Sequence, residues 1–201
     1  MEFYETEEQQ VEAVKKWWRE NGKAIILGAV VGLGGLFGWR AYQDNLLAAR
    51  IDASQAYMAA QTQFATSGEV AAVEGFISSY TDSGYASLSA LQLAKHFVDA
   101  GEFDNAIAQL QWVIDNSGDV SLTNTAVIRL ARIEASQGDY AAAEALLAGI
   151  TQESWKASSL ELQGDIKLAQ GDQAAARDAY RDALALSPRP EVQLKLNDLA
   201  L

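Results

Sequence analysis

Between Lys23 and Arg40 the chain runs for 16 residues without a charge, AIILGAVVGLGGLFGW, and no other feature limits the fold so strongly. As a helix the run spans about 24 Å at about 1.5 Å per residue, short of a bilayer hydrocarbon core of about 30 Å. The uncharged flanks Asn21, Gly22, Ala41 and Tyr42 extend it, and Lys23 and Arg40 can snorkel toward water. Trp17 and Trp18 precede the run while Trp39 and Tyr42 close it, which suits amphipathic rings at two membrane interfaces. A cleaved signal peptide fits poorly, because the preceding 23 residues are long and acidic and no small-x-small pair follows Trp39 until Ser54. A buried soluble helix is disfavoured by Gly28, Gly32, Gly34, Gly35 and Gly38, each weakening a helix in water by up to about 1 kcal/mol. The run is therefore read as a single membrane-crossing helix over residues 23–42, set between an N-terminal segment 1–22 and a domain 43–201.

Lys15, Lys16, Arg19 and Lys23 lie before the run, against only Arg40 and Arg50 in the equivalent stretch after it. Basic residues favour the cytoplasmic side, so the N-terminus is expected in the cytoplasm and the domain outside it, in the periplasm if the source is Gram-negative. With no cysteine, a disulfide framework and a thiolate zinc site are both excluded. Beyond Arg40 there are 21 Asp and Glu against 10 Lys and Arg, within a net charge of −12 for the whole chain. That balance argues against nucleic acid and against adhesion of the domain to anionic lipid.

Spacings of three and four between apolar residues recur from Leu46 onward, without the two-residue alternation of strands, so the fold class is all α. Three segments align on a glycine: LAKHFVDAGEFDNAIAQL from Leu93, LARIEASQGDYAAAEALL from Leu130 and QGDIKLAQGDQAAARDAY from Gln163. Gly101, Gly138 and Gly171 stand 37 and 33 residues apart. Small residues recur where one helix must pass close to another, at Ala94, Ala131 and Gly164 and again at Ala106, Ala143 and Ala176. Leu110, Leu147 and Tyr180 follow in register, and Phe103 and Tyr140 match just after their glycines. These lines resemble tetratricopeptide repeats, helix hairpins that stack into a solenoid because none buries its apolar face alone. Gln163, Lys167 and Gln173 depart from the pattern and predict a looser third hairpin. Residues 44–80 read as an earlier, degenerate pair broken at Ser67 and Gly68, Ser83 and Gly84 as the start of the next, and residues 190–201 as a capping helix.

No catalytic constellation is found, and the chain is read as a non-enzyme without a cofactor, metal or small-molecule substrate. His96 is the only histidine, so neither a nucleophilic triad nor a histidine-rich metal centre is well founded. Asp99, Glu102 and Asp104 look like helix-end and turn residues, since the spacing of an EF-hand is missing. Gly32, Gly34 and Gly35 lack the Lys-Ser or Lys-Thr of a phosphate loop. Gly28, Gly32 and Gly35 instead share one face of the run, where another membrane helix, or a second copy of this chain, could approach closely. In the segment before the run, Val11, Val14 and Trp18 share a face and Glu12 is set to pair with Lys16.

The opening MEFYETEEQQVEAVKKWWRENGKA, followed by a glycine-rich span and a tetratricopeptide-like domain, resembles the YfgM family of ancillary SecYEG translocon subunits, most specifically over Tyr4–Ala24. The resemblance implies a single-pass inner-membrane protein with a periplasmic domain, partnered by the SecYEG translocon and by PpiD, a membrane-anchored chaperone of parvulin type. It implies assistance in the handover of exported proteins to periplasmic chaperones; the alternatives are a tether for a cytoplasmic stress-response regulator and an independent periplasmic holdase. If the repeats stack accordingly, the first helix of each pair lines a concave groove. That arrangement sets Leu91, Lys95 and Val98 beside Ile128 and Arg132, with Phe76, Trp112 and Trp155 as aromatic candidates on the outer helices.

Overall fold

A computed structural model describes residues 7–199; the first six residues of the N-terminal segment and the last two of the capping helix lie outside the described residues. The described residues form nine helices and no strand: α1 (Glu7–Ser67), α2 (Ala71–Ser79), α3 (Gly84–Asp99), α4 (Phe103–Asn116), α5 (Val120–Ser136), α6 (Tyr140–Ala148), α7 (Glu153–Ala169), α8 (Gln173–Leu186) and α9 (Pro190–Asp198). Two units are distinguished, Met1–Asp52 and Ala53–Leu201. In the first, the side chains of the apolar run are exposed throughout, Ile26, Leu27, Phe37 and Trp39 among them, so no core within this unit covers it. Among the described residues, α1 alone is long and apolar enough to cross a membrane.

The second unit is a stack of hairpins. The last turns of α1 pack Ala56, Tyr57, Ala60 and Phe64 with Val73, Phe76 and Ile77 of α2 and with α3, forming the first layer of a core that continues through α4 to α5. Ile128 and Ala131 of α5 then meet Ala143 and Leu147 of α6 and Leu162 and Ile166 of α7. Tyr180 and Ala183 of α8 close the series against Val192 of α9. The small residues expected at close approaches, Ala94, Ala131, Gly164, Ala106, Ala143 and Ala176, are all buried.

One turn chemistry serves all three hairpins. Gly101, Gly138 and Gly171 have φ of +77°, +89° and +85°, a region costly for any residue with a Cβ. The following N–H reaches back to the previous helix: Glu102 to the Phe97 carbonyl at 2.8 Å, Asp139 to Glu134 at 2.9 Å and Asp172 to Lys167 at 2.9 Å. This is the Schellman closure. In the second and third hairpins the same acid then caps the next helix, Asp139 Oδ1 accepting from the Ala142 N–H and Asp172 Oδ1 from the Ala175 N–H, each at 2.9 Å. Ser67 and Gly68 end α1, Ser83 caps α3 and Pro190 starts α9, as the sequence predicts.

The third hairpin is not loose. Gly164 brings α7 so close to α8 that the Tyr180 ring occupies the place of the missing side chain, and Tyr180 is 0% exposed. Two of the polar departures have partners of their own: Lys167 Nζ pairs with Glu144 Oε1 of α6 at 2.7 Å, and Gln163 Nε2 donates to Ser159 Oγ at 3.3 Å. The third, Gln173, is exposed in the first turn of α8. The expectation failed because it counted apolar bulk at α7 and overlooked the bulk that α8 supplies.

Candidate interaction groove and membrane face

The concave candidates lie on α3 and α5. Lys95, Val98 and Arg132 line a common groove of about 510 Å³ near the C-terminal turns of those helices. Its apolar wall is Ala94, Leu110 and Ile133, which are buried, with half-buried Phe103 and with Val98, 37% exposed. Its cations differ in what already holds them. Lys95 Nζ pairs with Asp99 on its own helix, both side chains being largely exposed, so the pair is weak and screened. Arg129 Nη1 donates to the Leu91 carbonyl at 3.3 Å. Arg132 makes no hydrogen bond or ion pair to another described residue. The groove thus offers a guanidinium without a partner among the described residues, above apolar side chains, a combination able to take a carboxylate on an amphipathic segment.

Leu91 and Ile128, expected in this groove, are buried at 5% and 8% exposure in two successive core layers. They stand one turn N-terminal of Lys95 and Arg132, at a level where the Arg129 bond shows α3 and α5 drawn together. The helical period placed them on one face with Lys95 and Arg132 and said nothing of how the seam narrows along the axis. Arg129 and Ile133 were missed, although Arg129 and Arg132 stand at i, i+3 and so share a face. The aromatic alternatives are likewise occupied, with Phe76 buried and Trp112 and Trp155 packed against the core layers.

Of the polar residues weighed for other chemistry, His96, Asp99 and Glu102 are engaged locally, Asp99 by Lys95. His96 sets its ring edge-on to Phe64, centroids 5.1 Å apart, and Glu102 Oε2 accepts from Asn105 Nδ2 at 2.7 Å. Among the described residues no group of three His, Cys, Asp or Glu could hold a metal ion.

In the first unit, Trp17, Trp18, Trp39 and Tyr42 are all exposed, and the Trp39 and Tyr42 rings lie 5.9 Å apart. Trp18 and Trp39 are separated by about 32 Å of helix, close to the thickness of a hydrocarbon core of about 30 Å. A Cβ added at Gly28, Gly32 or Gly35 would meet nothing within 4 Å, so no neighbour within the described chain accounts for these glycines. Glu12 and Lys16, expected to pair, form no ion pair.

At the C-terminal end a polar cluster joins α9 to α7. Lys195 Nζ contacts Asp165 Oδ1 at 2.7 Å and Glu161 Oε1 at 3.0 Å, and Arg189 Nη1 contacts Glu161 Oε2 at 3.0 Å. Burial pushes the Glu161 carboxyl up, but the bonds and charge of Lys195 and Arg189 outweigh it and hold the group below its ordinary value. Burial, then the hydrogen bond from its hydroxyl to Asp165, push the Tyr180 phenol up. With every charged group paired, the cluster is a fastening of the solenoid end.

The tetratricopeptide repeat-like domain family matches residues 15–201. The chain is similar to the ancillary SecYEG translocon subunit of Escherichia coli strain K12, 35% identical over the whole of both chains. The proteins of the same name from Haemophilus influenzae and Neisseria gonorrhoeae are 32% and 28% identical, each alignment covering 96% of this chain and 97% of the relative.

Proposed function

The chain belongs to the tetratricopeptide repeat-like family of ancillary SecYEG translocon subunits, and from that membership we propose that it is a non-enzymatic, membrane-anchored interaction scaffold working beside a SecYEG translocon. The observation that carries this reading is a relationship extending over the whole of both chains, apolar run and repeats alike. In its finer form, α1 crosses the inner membrane once, with the N-terminus cytoplasmic and the repeats periplasmic. Gly28, Gly32 and Gly35 give a translocon helix, or a second copy, close backbone approach. The solenoid holds a chaperone of the PpiD type and eases the handover of exported proteins to it. The groove on α3 and α5 is the docking place, supported by the unpartnered Arg132 beside an apolar wall.

Capture of the tagged chain from mildly solubilised membranes tests the reading. Translocon subunits and a parvulin-type chaperone are the expected partners. Lys95→Glu with Arg132→Glu should reduce chaperone recovery at low ionic strength by an amount that shrinks as salt is raised, leaving translocon recovery unchanged. Wild-type chaperone recovery by the double variant would remove the groove from the proposal. A broad set of unfolded clients without translocon subunits would favour an independent holdase, and a cytoplasmic regulator alone would favour the tether.

A further inference from the structure

From Val11 to Lys23, α1 has two unlike sides. Lys15, Arg19 and Lys23 recur every fourth residue and form one row along the helix, with Lys16 beside it. Val11 begins the same row, while Val14, Trp17 and Trp18 lie toward the other side, all four more than half exposed. Glu12 and Glu20 fall on the cationic side, yet no ion pair joins either to a described lysine or arginine, and the four cations have no ion-pair partner among the described residues.

One contact involves an indole ring and another the backbone beneath the other. The Trp18 ring rests on Gly22, three of its atoms 3.1, 3.2 and 3.3 Å from where a Cβ would stand. Asn21 Nδ2 donates to the Trp17 carbonyl at 3.0 Å, binding the turn in which both rings are rooted.

The rise along the helix sets each cation at a depth. Arg19 stands about 6 Å and Lys15 about 12 Å outward from Lys23. A headgroup layer is about 5–8 Å thick, half the difference between a whole bilayer and its hydrocarbon core. With Lys23 at the edge of the hydrocarbon, Arg19 lies among the headgroups. Lys15 and Lys16 lie just outside, within a Debye length of about 8 Å at physiological ionic strength.

We propose that Lys15, Lys16, Arg19 and Lys23 form a binding site for anionic phospholipid headgroups, Arg19 and Lys23 meeting phosphate directly and Lys15 and Lys16 adding longer-range attraction. The inference rests on the membrane crossing of the proposed function. The occupant is a lipid surface because three chemistries adjoin in one helix: apolar side chains from Ala24, indoles at the next level, and cations across from them. A bilayer presents hydrocarbon, interface and phosphate in that order. Arginine adds a planar fork suited to phosphate oxygens. Beyond Arg40 the chain carries 21 acidic against 10 basic residues and so adds no attraction; of the six glutamates before the run, Glu2, Glu5, Glu7 and Glu8 precede the cations in sequence, leaving Glu12 and Glu20 among them.

The test uses the full chain in phosphatidylcholine vesicles carrying a trace of spin-labelled phosphatidylglycerol or spin-labelled phosphatidylcholine. Electron paramagnetic resonance measures how much of each label the protein immobilises. Phosphatidylglycerol should be preferred by at least about fivefold, the factor that one cation near an anionic surface supplies. The preference should fade toward about 1 M salt, where the Debye length is about 3 Å. Arg19→Gln with Lys23→Gln should remove most of it, and Arg19→Lys with Lys23→Arg should retain it. Equal immobilisation of the two lipids by the wild type, or an unchanged preference in the glutamine variant, would overturn the site. Failure of the chain to float with vesicles would overturn the crossing as well, whereas flotation without lipid preference overturns the site alone.

Discussion

Only a hydrogen fits at Gly164. A Cβ there would lie 2.4 Å from Cε1 of Tyr180, a fully buried ring whose hydroxyl donates to Asp165 Oδ1 at 2.7 Å and which therefore has nowhere to swing. Glycine inside a helix usually weakens it by about 1 kcal/mol relative to alanine, so Gly164→Ala would ordinarily stabilise. Here overpacking should reverse the sign and cost about 1–3 kcal/mol. Gly75 of α2 is the control, since a Cβ there meets nothing within 4 Å. Thermal unfolding of the detergent-solubilised chain, followed by circular dichroism, should give a lower midpoint for Gly164→Ala and a slightly higher one for Gly75→Ala. A raised midpoint for Gly164→Ala would refute this account of the third hairpin. The small residue at 164 was legible from its alignment with Ala94 and Ala131. Its reason was not, because the partner that fills the space is 16 residues away on another helix.

The last element of the solenoid is α9, whose buried anchor is Val192 and whose polar side reaches α7 through Lys195 and Arg189. Glu161 receives both cations, and its folded carboxyl lies below the ordinary 4.5. Its contribution is therefore fully present above that value and lost as pH falls through the folded one. Lys195 is raised above 10.5, with burial opposing and Asp165 and Glu161 prevailing, so its share is present below that value and lost as pH rises through the folded one. Glu161→Gln should cost about 1–2 kcal/mol near neutrality, where charged hydrogen bonds are lost but Lys195 keeps Asp165. The gap between wild type and variant, read from unfolding midpoints across pH, should close below 4.5. A gap independent of pH would mean that packing and not charge explains the loss. The helix itself was readable from Pro190 and its apolar spacing. Its ionic fastening was not, because Glu161 and Lys195 are 34 residues apart and no local period connects them. The hairpins and their glycine turns were legible because their determinants are local. The groove was legible only in part, since Lys95 and Arg132 follow from repeat register whereas the burial of Leu91 and Ile128 depends on how closely two helices converge.

At the scale of the whole molecule, the distribution of charge is the remaining argument. Four basic residues precede the apolar run against two, Arg40 and Arg50, in the equivalent stretch after it, and the proposed orientation follows from that asymmetry because basic residues near a span favour the cytoplasmic side while acidic ones count little. The chain contains no cysteine, so a single introduced thiol reports its own compartment without background. Gln9 and Gln173 are both exposed, one before the run and one in the solenoid, and either can be replaced by cysteine with little effect on packing. In spheroplasts of a Gram-negative host, a membrane-impermeant maleimide should label Gln173→Cys at once and label Gln9→Cys only after the membrane is permeabilised. Reversing the asymmetry, with Lys15, Lys16, Arg19 and Lys23 changed to Gln and two lysines added after Tyr42, should move part of the population to the opposite pattern. Labelling of Gln9→Cys alone in intact spheroplasts would invert the topology and put the groove in the cytoplasm. Labelling of both would mean that α1 does not cross, and the scaffold would have to reach the translocon by some other route.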